Sequence, residues 1–197
     1  RISHRLSGNN SSALQTKPLS FYQKDSLIFK SKVTKNDSLK KLTLRGLKKG
    51  VGYIYRDSLV RQPKDFSYKN YLPIRSLHNL MKQLMFPEAF PKEQQFDLTQ
   101  SDRSFLLKMM SILPKEAGYI TDSYYDSYVK FLVFGDSKDP IPDHIQIFNK
   151  VGCAYGYLSD CAYIVNTKTK RKYIITAVIN VNKNNIYNDG VYEYDAI

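Results

Sequence analysis

The most informative stretch of this sequence is residues 144–165, His-Ile-Gln-Ile-Phe-Asn-Lys-Val-Gly-Cys-Ala-Tyr-Gly-Tyr-Leu-Ser-Asp-Cys-Ala-Tyr-Ile-Val. Ile145 and Ile147 alternate with polar Gln146, and residues 162–165 resume a second β-rich run, which is typical of a hairpin. We predict that the first strand ends near Lys150 and brings this lysine and two glycines to a turn, where a ligand is within reach. An ordinary hairpin with a solvated lysine explains the same pattern, because short motifs often match by chance.

The segments around this hairpin predict an α+β fold, with an antiparallel sheet packed against helices. Apolar residues recur at helical spacing in residues 77–85 and 105–113, and Thr99 with Asp102 forms a capping-box pattern before the second run. A third helix is predicted over residues 125–133, with Gly135 just past its end. Strands are predicted at residues 144–149, 161–166 and 172–182, and a polar hairpin turn at residues 166–170.

We interpret the chain as one partial domain, residues 1–197, in three parts. Residues 1–75 are a loop-rich basic segment, residues 76–135 are helical and residues 144–197 form antiparallel strands. Within the first part, residues 26–29 and 41–44 alternate in polarity and predict a small hairpin, and residues 51–55 predict another extended piece.

The net charge of +12 is concentrated in residues 1–60, which hold 13 Lys and Arg against 3 Asp. Such asymmetry can indicate nucleic acid, an acidic surface or an anionic substrate. The basic residues alternate with Ser, Thr and Asn and match no nucleic-acid-binding motif, so we favour a solvated loop face and predict no nucleic-acid partner. No apolar run approaches the roughly 20 residues of a membrane span, so we predict no span in this chain.

The few cysteines and histidines predict neither a metal site nor a cofactor. Cys153 and Cys161 stand eight residues apart, and the three histidines are scattered singly, without metal-ligand spacing. A disulfide between the two cysteines is geometrically conceivable, but two small buried side chains explain them as well.

The run from Phe148 to Tyr157 resembles the Lys-Thr-Gly strand of Bacteroidetes serine hydrolases that belong with class A β-lactamases and penicillin-binding proteins. Further segments are similar in the same order along most of the chain: residues 4–7, 65–67, 69–73, 86–88, 126–131, 188–189 and 192–194. The resemblance implies a β-lactamase/transpeptidase-like fold, a periplasmic or cell-envelope location and acyl transfer to or from an amide or ester, with a peptide-like or β-lactam-like substrate.

The resemblance also implies roles for the residues of this strand. In that family the Lys-Thr-Gly strand binds the substrate carboxylate, and the residue after the glycine gives a backbone N–H to the oxyanion hole. Lys150 then supplies positive charge, Gly152 allows close approach of the ligand and the N–H of Cys153 is an oxyanion donor. Val151 and Tyr155 line the substrate side, although Tyr155 packing against a neighbouring strand is an equal alternative.

Two departures limit this expectation. Val151 stands where the family usually has a hydroxyl, so one hydrogen bond to a ligand carboxylate, worth roughly 1 to 3 kcal/mol when a site is built for it, cannot form. The deacylating glutamate of class A enzymes has no counterpart, because Glu88 is the first glutamate in the chain. An acyl-enzyme would therefore persist.

The nucleophile is the larger departure. Ser-x-x-Lys occurs only at residues 38–41 and 127–130, and we attribute both matches to chance. We therefore expect this chain to be the C-terminal portion of the family's domain, inactive alone, with the nucleophilic N-terminal half elsewhere in the protein. The alternative function is a non-catalytic binding or structural module on the same fold.

Overall fold

The computed structural model describes residues 18, 20–33, 41–69, 71–119, 124–135 and 137–195. The chain divides into two compact units, residues 1–71 and residues 72–197. Among the described residues, the content is mixed α and β with antiparallel strand pairing. No helix in those ranges is long and apolar enough to cross a membrane.

The first unit contains short strands joined by tight turns. Its strands are β1 (Ser20–Gln23), β2 (Ser26–Lys30), β3 (Lys48–Lys49), β4 (Gly52–Tyr55), β5 (Ser58–Val60) and β6 (Lys64–Asp65). The predicted strands at residues 26–29 and 51–55 are confirmed. The predicted pairing of residues 26–29 with residues 41–44 is wrong, because β2 pairs with β1 and residues 41–44 form no strand. Residues 34–40, which include one of the two Ser-x-x-Lys matches in part, lie outside the described residues.

The second unit contains the helices and the principal sheet. Its elements are α1 (Ile74–Met85), α2 (Gln100–Ser111), α3 (Phe131–Phe134), β7 (Ile145–Ala154), β8 (Tyr157–Asn166), β9 (Arg171–Asn180) and β10 (Ile186–Tyr187), with 3₁₀ turns at Pro87–Ala89, Lys92–Gln94 and Asp126–Val129. The capping box before α2 is confirmed, since the Thr99 hydroxyl accepts from the Asp102 N–H while the Asp102 carboxylate accepts from the Thr99 N–H. The hairpin turn between β8 and β9 is also confirmed.

The helix predicted over residues 125–133 is wrong. The segment forms a 3₁₀ turn at Asp126–Val129 and then the single turn α3, in which Leu132 is extended and Val133 has a φ of +80°. The N–H of Leu132 donates to the Asp160 carboxylate at 3.1 Å instead of continuing a helical ladder. A tertiary contact therefore overrides the local helical pattern.

The strands β7, β8 and β9 form an antiparallel sheet in this order, with apolar layers on both faces. One face packs against α1 and α2. The buried residues of this layer are Met81 and Met85 of α1 and Cys161 of β8. On the other face, the buried cluster consists of Ile147, Ala162 and Ile164 of the sheet and Ile141 before it, and Leu113, Leu132, Phe134 and Ile145 pack against this cluster. Strand β7 is an edge strand of this three-stranded sheet, and it contacts α2.

Candidate functional site

Strand β7 is longer than the sequence predicts, and this moves Lys150 away from the turn. The strand continues to Ala154, and the turn is Tyr155–Gly156, with φ values of +57° and +71°. Positive φ at both central residues is the geometry of a two-residue type I′ hairpin. Lys150 and Gly152 therefore lie within the strand, and only Gly156 lies in the turn, which corrects the predicted placement.

The backbone of β7 offers hydrogen-bonding groups on its outer edge. A two-residue turn makes Ala154 and Tyr157 a hydrogen-bonded pair, and the pairs then alternate along an antiparallel ladder. Asn149, Val151 and Cys153 therefore direct their N–H and C=O groups away from β8. The outward carbonyl of Val151 accepts from Lys150 Nζ at 2.6 Å, which agrees with this alternation.

The side chains of the predicted site divide between the two faces of the sheet. Lys150 and Cys153 are exposed, and Val151, Gly152 and Tyr155 are half-buried. A Cβ on Gly152 would lie 2.6 Å from Ser159 Oγ, so a cross-strand neighbour is one structural reason for glycine there.

Two further expectations concern residues near the hairpin tip: the packing of Tyr155 and a disulfide between Cys153 and Cys161. The Tyr155 ring meets the Tyr187 ring edge-on, with centroids 6.3 Å apart. Cys153 and Cys161 are both free thiols, and their pairing partners, Leu158 and Lys150, put them on opposite faces of the sheet. This register rules out the disulfide.

A buried polar cluster lies behind this edge, and its centre is Lys130, whose exposed fraction is 2%. Lys130 Nζ donates to the carbonyls of Met110 and Ile147 at 2.7 and 3.1 Å, and to Asn149 Oδ1 at 2.8 Å. Asn149 Nδ2 in turn donates to the Asp160 carboxylate at 3.0 Å. An ammonium has three protons, and all three are used.

The charges of this cluster are perturbed by burial. Desolvation lowers the pKa of Lys130 to about 8, although the nearby Asp160 carboxylate partly offsets the effect. Desolvation raises the pKa of Asp160, while hydrogen bonds from Leu132 and Asn149 act against the rise. Asn149 therefore bridges an opposite charge pair that lies out of solvent.

The second Ser-x-x-Lys match, Ser127 to Lys130, does not form a nucleophile and base pair. Ser127 has an exposed fraction of 0%, and its hydroxyl donates to the Ser137 carbonyl. The Lys130 ammonium bonds other partners. The serine is therefore closed to a ligand, in agreement with the interpretation of this match as chance.

A cavity of about 430 Å³ lies beside β7 at Asn149, Lys150 and Val151. This volume is within the range of about 300 to 1,000 Å³ that is usual for small-molecule sites. Its wall is formed by the end of α2, the turn after it, and the 3₁₀ turn Asp126–Val129. The lining side chains are mostly apolar or aromatic: Met109, Met110, Ile112, Leu113, Pro114, Ala117, Tyr119, Tyr124, Tyr128, Val129 and Val151.

Sequence reasoning missed the roles of Met109, Lys130 and Asn149. Met109 is assigned to the buried face of α2 by helical spacing, but it is 42% exposed and lines the cavity. Lys130 lies within residues 126–131, but the sequence pattern predicts no role for it beyond a chance Ser-x-x-Lys match. Asn149 is a polar residue on a strand position that the alternation already assigned to the buried face.

No family model, curated protein or solved structure matches this chain. Within the described ranges, no group of three or more His, Cys, Asp or Glu side chains is placed to hold a metal ion. The candidate site is therefore defined by its own geometry: an outer strand with outward backbone groups, an exposed lysine and an adjacent apolar cavity.

Proposed function

We propose that this chain provides the strand wall of an acyl-transfer site of the penicillin-recognising serine hydrolase class, on a β-lactamase/transpeptidase-like fold, acting on an amide or ester in the cell envelope. The reactive serine belongs to residues outside this sequence. The observation that supports the proposal best is the outer edge of β7, where Lys150 is exposed and lines the cavity together with Val151.

Each group at this edge has a role in such a site. An extended ligand adds along a strand edge by pairing with outward N–H and C=O groups, which Val151 and Cys153 offer. The Lys150 ammonium attracts the ligand carboxylate. The Cys153 N–H stabilises the oxyanion if the scissile carbonyl lies against it.

The test uses the complete encoded polypeptide and two covalent probes, a fluorescent penicillin and a fluorescent fluorophosphonate. We expect a covalent adduct with at least one probe, and a drop of about tenfold in the penicillin labelling rate for Lys150→Met, because a charge-assisted hydrogen bond is lost. Lys172→Met is the matched control, since Lys172 is exposed on β9. Val151→Thr restores the missing hydroxyl and should raise the same rate by about tenfold.

The alternative is a binding or structural module without acyl transfer. Val151 favours this alternative, since it leaves the wall without the usual hydroxyl. If neither probe labels the complete polypeptide over a range of pH, the acyl-transfer proposal is wrong and the binding module is the better description. Labelling that is unaffected by Lys150→Met would show that β7 is not the wall of the reacting site.

A further inference from the structure

The β1–β2 hairpin of the first unit exposes apolar side chains on both of its faces. Phe21 pairs with Phe29 across the two strands, with ring centroids 5.7 Å apart, and the next pair, Tyr22 with Leu27, points to the opposite face. A bulge leaves Ile28 between these two pairs. All five side chains are between 51% and 62% exposed. A contiguous apolar surface of this kind is typical of a segment that docks on a partner or on a membrane.

The two faces of the hairpin differ in polarity. Lys30 is the one charged residue of the two strands, and the alternation of side chains along β2 puts it on the face of Tyr22 and Leu27. The face of the two phenylalanines therefore suits a fully apolar environment. The opposite face combines apolar surface with a hydroxyl and an ammonium, so it suits a layer that is partly polar.

The hairpin and the segment that follows it are strongly basic. Residues 20–33 and 41–49 hold seven Lys and Arg against a single acidic residue, Asp25. Lys49 and Lys64 lie directly opposite each other in the β3–β6 pair, where like charges repel. Burial, and then the charge of the nearby Lys69, lower the pKa of Lys64. The concentrated positive charge therefore favours a partner that carries many anions.

An anionic lipid bilayer meets both requirements, apolar contact and negative charge. An amphipathic segment lies in the bilayer interface with its apolar face buried by about 5 to 10 Å, and its lysines attract the anionic headgroups. Single-stranded nucleic acid also binds basic surfaces with exposed rings, but it stacks its bases on aromatic faces. Leu27 and Ile28 have no such face, so these exposed aliphatic side chains favour lipid over nucleic acid.

We propose that the β1–β2 hairpin docks this protein on an anionic lipid bilayer. The hairpin lies in the plane of the interface, with the Phe21 and Phe29 rings among the acyl chains. Its opposite face lies in the headgroup layer, where the Lys30 ammonium meets lipid phosphates. The charged turn that begins at Lys24 then stays at the level of the headgroups. This attachment goes beyond the proposed function and does not depend on acyl transfer.

Vesicle binding of the 197-residue chain tests the proposal. Co-sedimentation compares vesicles of phosphatidylcholine alone with vesicles of an equal mixture of phosphatidylcholine and phosphatidylglycerol. We expect saturable binding to the mixed vesicles and an affinity about tenfold weaker for the neutral ones, because the lysines lose their attraction to anionic headgroups. Added salt should weaken binding to the mixed vesicles, since it screens the same attraction.

Two variants separate the apolar and the electrostatic contribution. Phe29→Ser should weaken binding to the mixed vesicles about tenfold, because one ring no longer enters the interface. Lys30→Gln should weaken it about fivefold, because one headgroup contact is lost. The matched controls are Phe105→Ser and Lys172→Gln, at exposed positions of α2 and β9, and they should leave the affinity unchanged. Circular dichroism confirms that each variant keeps the fold.

Tryptophan substitutions measure how deeply each face enters the bilayer, since the sequence contains no tryptophan. The emission of Phe29→Trp should shift to the blue on mixed vesicles and be quenched by lipids that are brominated on their acyl chains. Leu27→Trp, on the opposite face, should be quenched less. Phe105→Trp, in the second unit, should show neither change.

The outcome is independent of the acyl-transfer proposal. Ring-dependent and charge-dependent binding to vesicles supports the docking role even if the complete polypeptide forms no covalent adduct. The docking role is overturned if the chain does not bind the mixed vesicles, or if Phe29→Ser and Phe105→Ser bind them equally well. It is also overturned if Phe29→Ser weakens binding to a random single-stranded DNA and leaves vesicle binding unchanged, because the hairpin is then a nucleic-acid surface.

Discussion

Lys130 connects three parts of the second unit through one ammonium group. It bonds the end of α2 through Met110, the strand β7 through Ile147, and the Asp160 carboxylate of β8 through Asn149. A buried charge pair of this kind is weak evidence for high stability, but breaking it leaves an uncompensated charge. Its contribution here is to fix the cavity wall against the strand edge.

The first prediction concerns this pair. Lys130→Met should lower the free energy of unfolding by about 3 kcal/mol at pH 7, because Asp160 then keeps a buried charge without its partner. Adding Asp160→Asn should recover part of the loss, so the double variant is more stable than the sum of the single effects predicts. Urea unfolding of the native protein, of Lys130→Met, of Asp160→Asn and of the double variant measures the coupling energy between the two residues.

Lys115→Met provides the control for this cycle. Lys115 also pairs with an aspartate, but its side chain is 60% exposed and solvent screens the pair, so we expect a much smaller loss than for Lys130→Met. Equal losses for Lys115→Met and Lys130→Met would show that the burial of Lys130 has no energetic consequence.

The second prediction is a pH dependence from the same residue. Burial lowers the pKa of Lys130 from 10.5 to about 8. Between these values the unfolded chain keeps the proton that the folded chain has released, so stability rises with pH, by about 2 kcal/mol from pH 8 to pH 10. Urea unfolding across this range should show the rise in the native protein and none of it in the Lys130→Met, Asp160→Asn variant. A flat native profile would contradict the lowered pKa.

At the scale of elements, the hairpin tip is held by the chain that follows β9. The Gly156 carbonyl accepts from the Val181 N–H, and the Gly156 N–H donates to the Tyr194 hydroxyl at 2.9 Å. A Cβ on Gly156 would lie 2.7 Å from Asn182 Cβ and 2.8 Å from the Tyr192 ring, and its φ is +71°. Both the conformation and the space therefore require glycine at this position.

The third prediction compares two glycines of this hairpin. Gly156→Ala should cost about 2 to 4 kcal/mol, from the strained φ and the close contacts with Asn182 and Tyr192. Gly152→Ala should cost less than about 1 kcal/mol, because Ser159 Oγ can rotate away. Chemical denaturation of both variants measures the difference. Similar losses at the two positions would mean that the tip is not anchored as described.

The sequence predicts most elements of the second unit, but not their ends near the site. The capping box at Thr99 and the helical spacing locate α1 and α2, because these signals are local. Gly152 suggested a turn that in fact forms at Tyr155–Gly156, since a tyrosine at positive φ is not a usual turn signal. The segment after Asp126 fails as a helix for a different reason: Asp160 and Asn149, distant in sequence, bond its backbone.

At the scale of the whole molecule, the two units differ in how much apolar surface they bury. The described buried side chains of the two apolar clusters all belong to residues 72–197. In residues 1–71, β1 and β2 are exposed along their whole length, and the buried apolar side chains among the described residues there are Leu47 and Phe66. The stability of the first unit by itself must therefore be small.

The fourth prediction follows from this difference. A fragment of residues 72–197 should fold with a cooperative urea transition and keep the amide protection of β7, β8 and β9, because its core residues are all present. A fragment of residues 1–71 should show no cooperative transition, since it cannot bury enough apolar surface to offset its chain entropy. Circular dichroism and hydrogen exchange measure both. If the larger fragment lacks the transition while the complete chain shows it, the core of the second unit is insufficient alone, and the candidate site must be studied in the complete chain only.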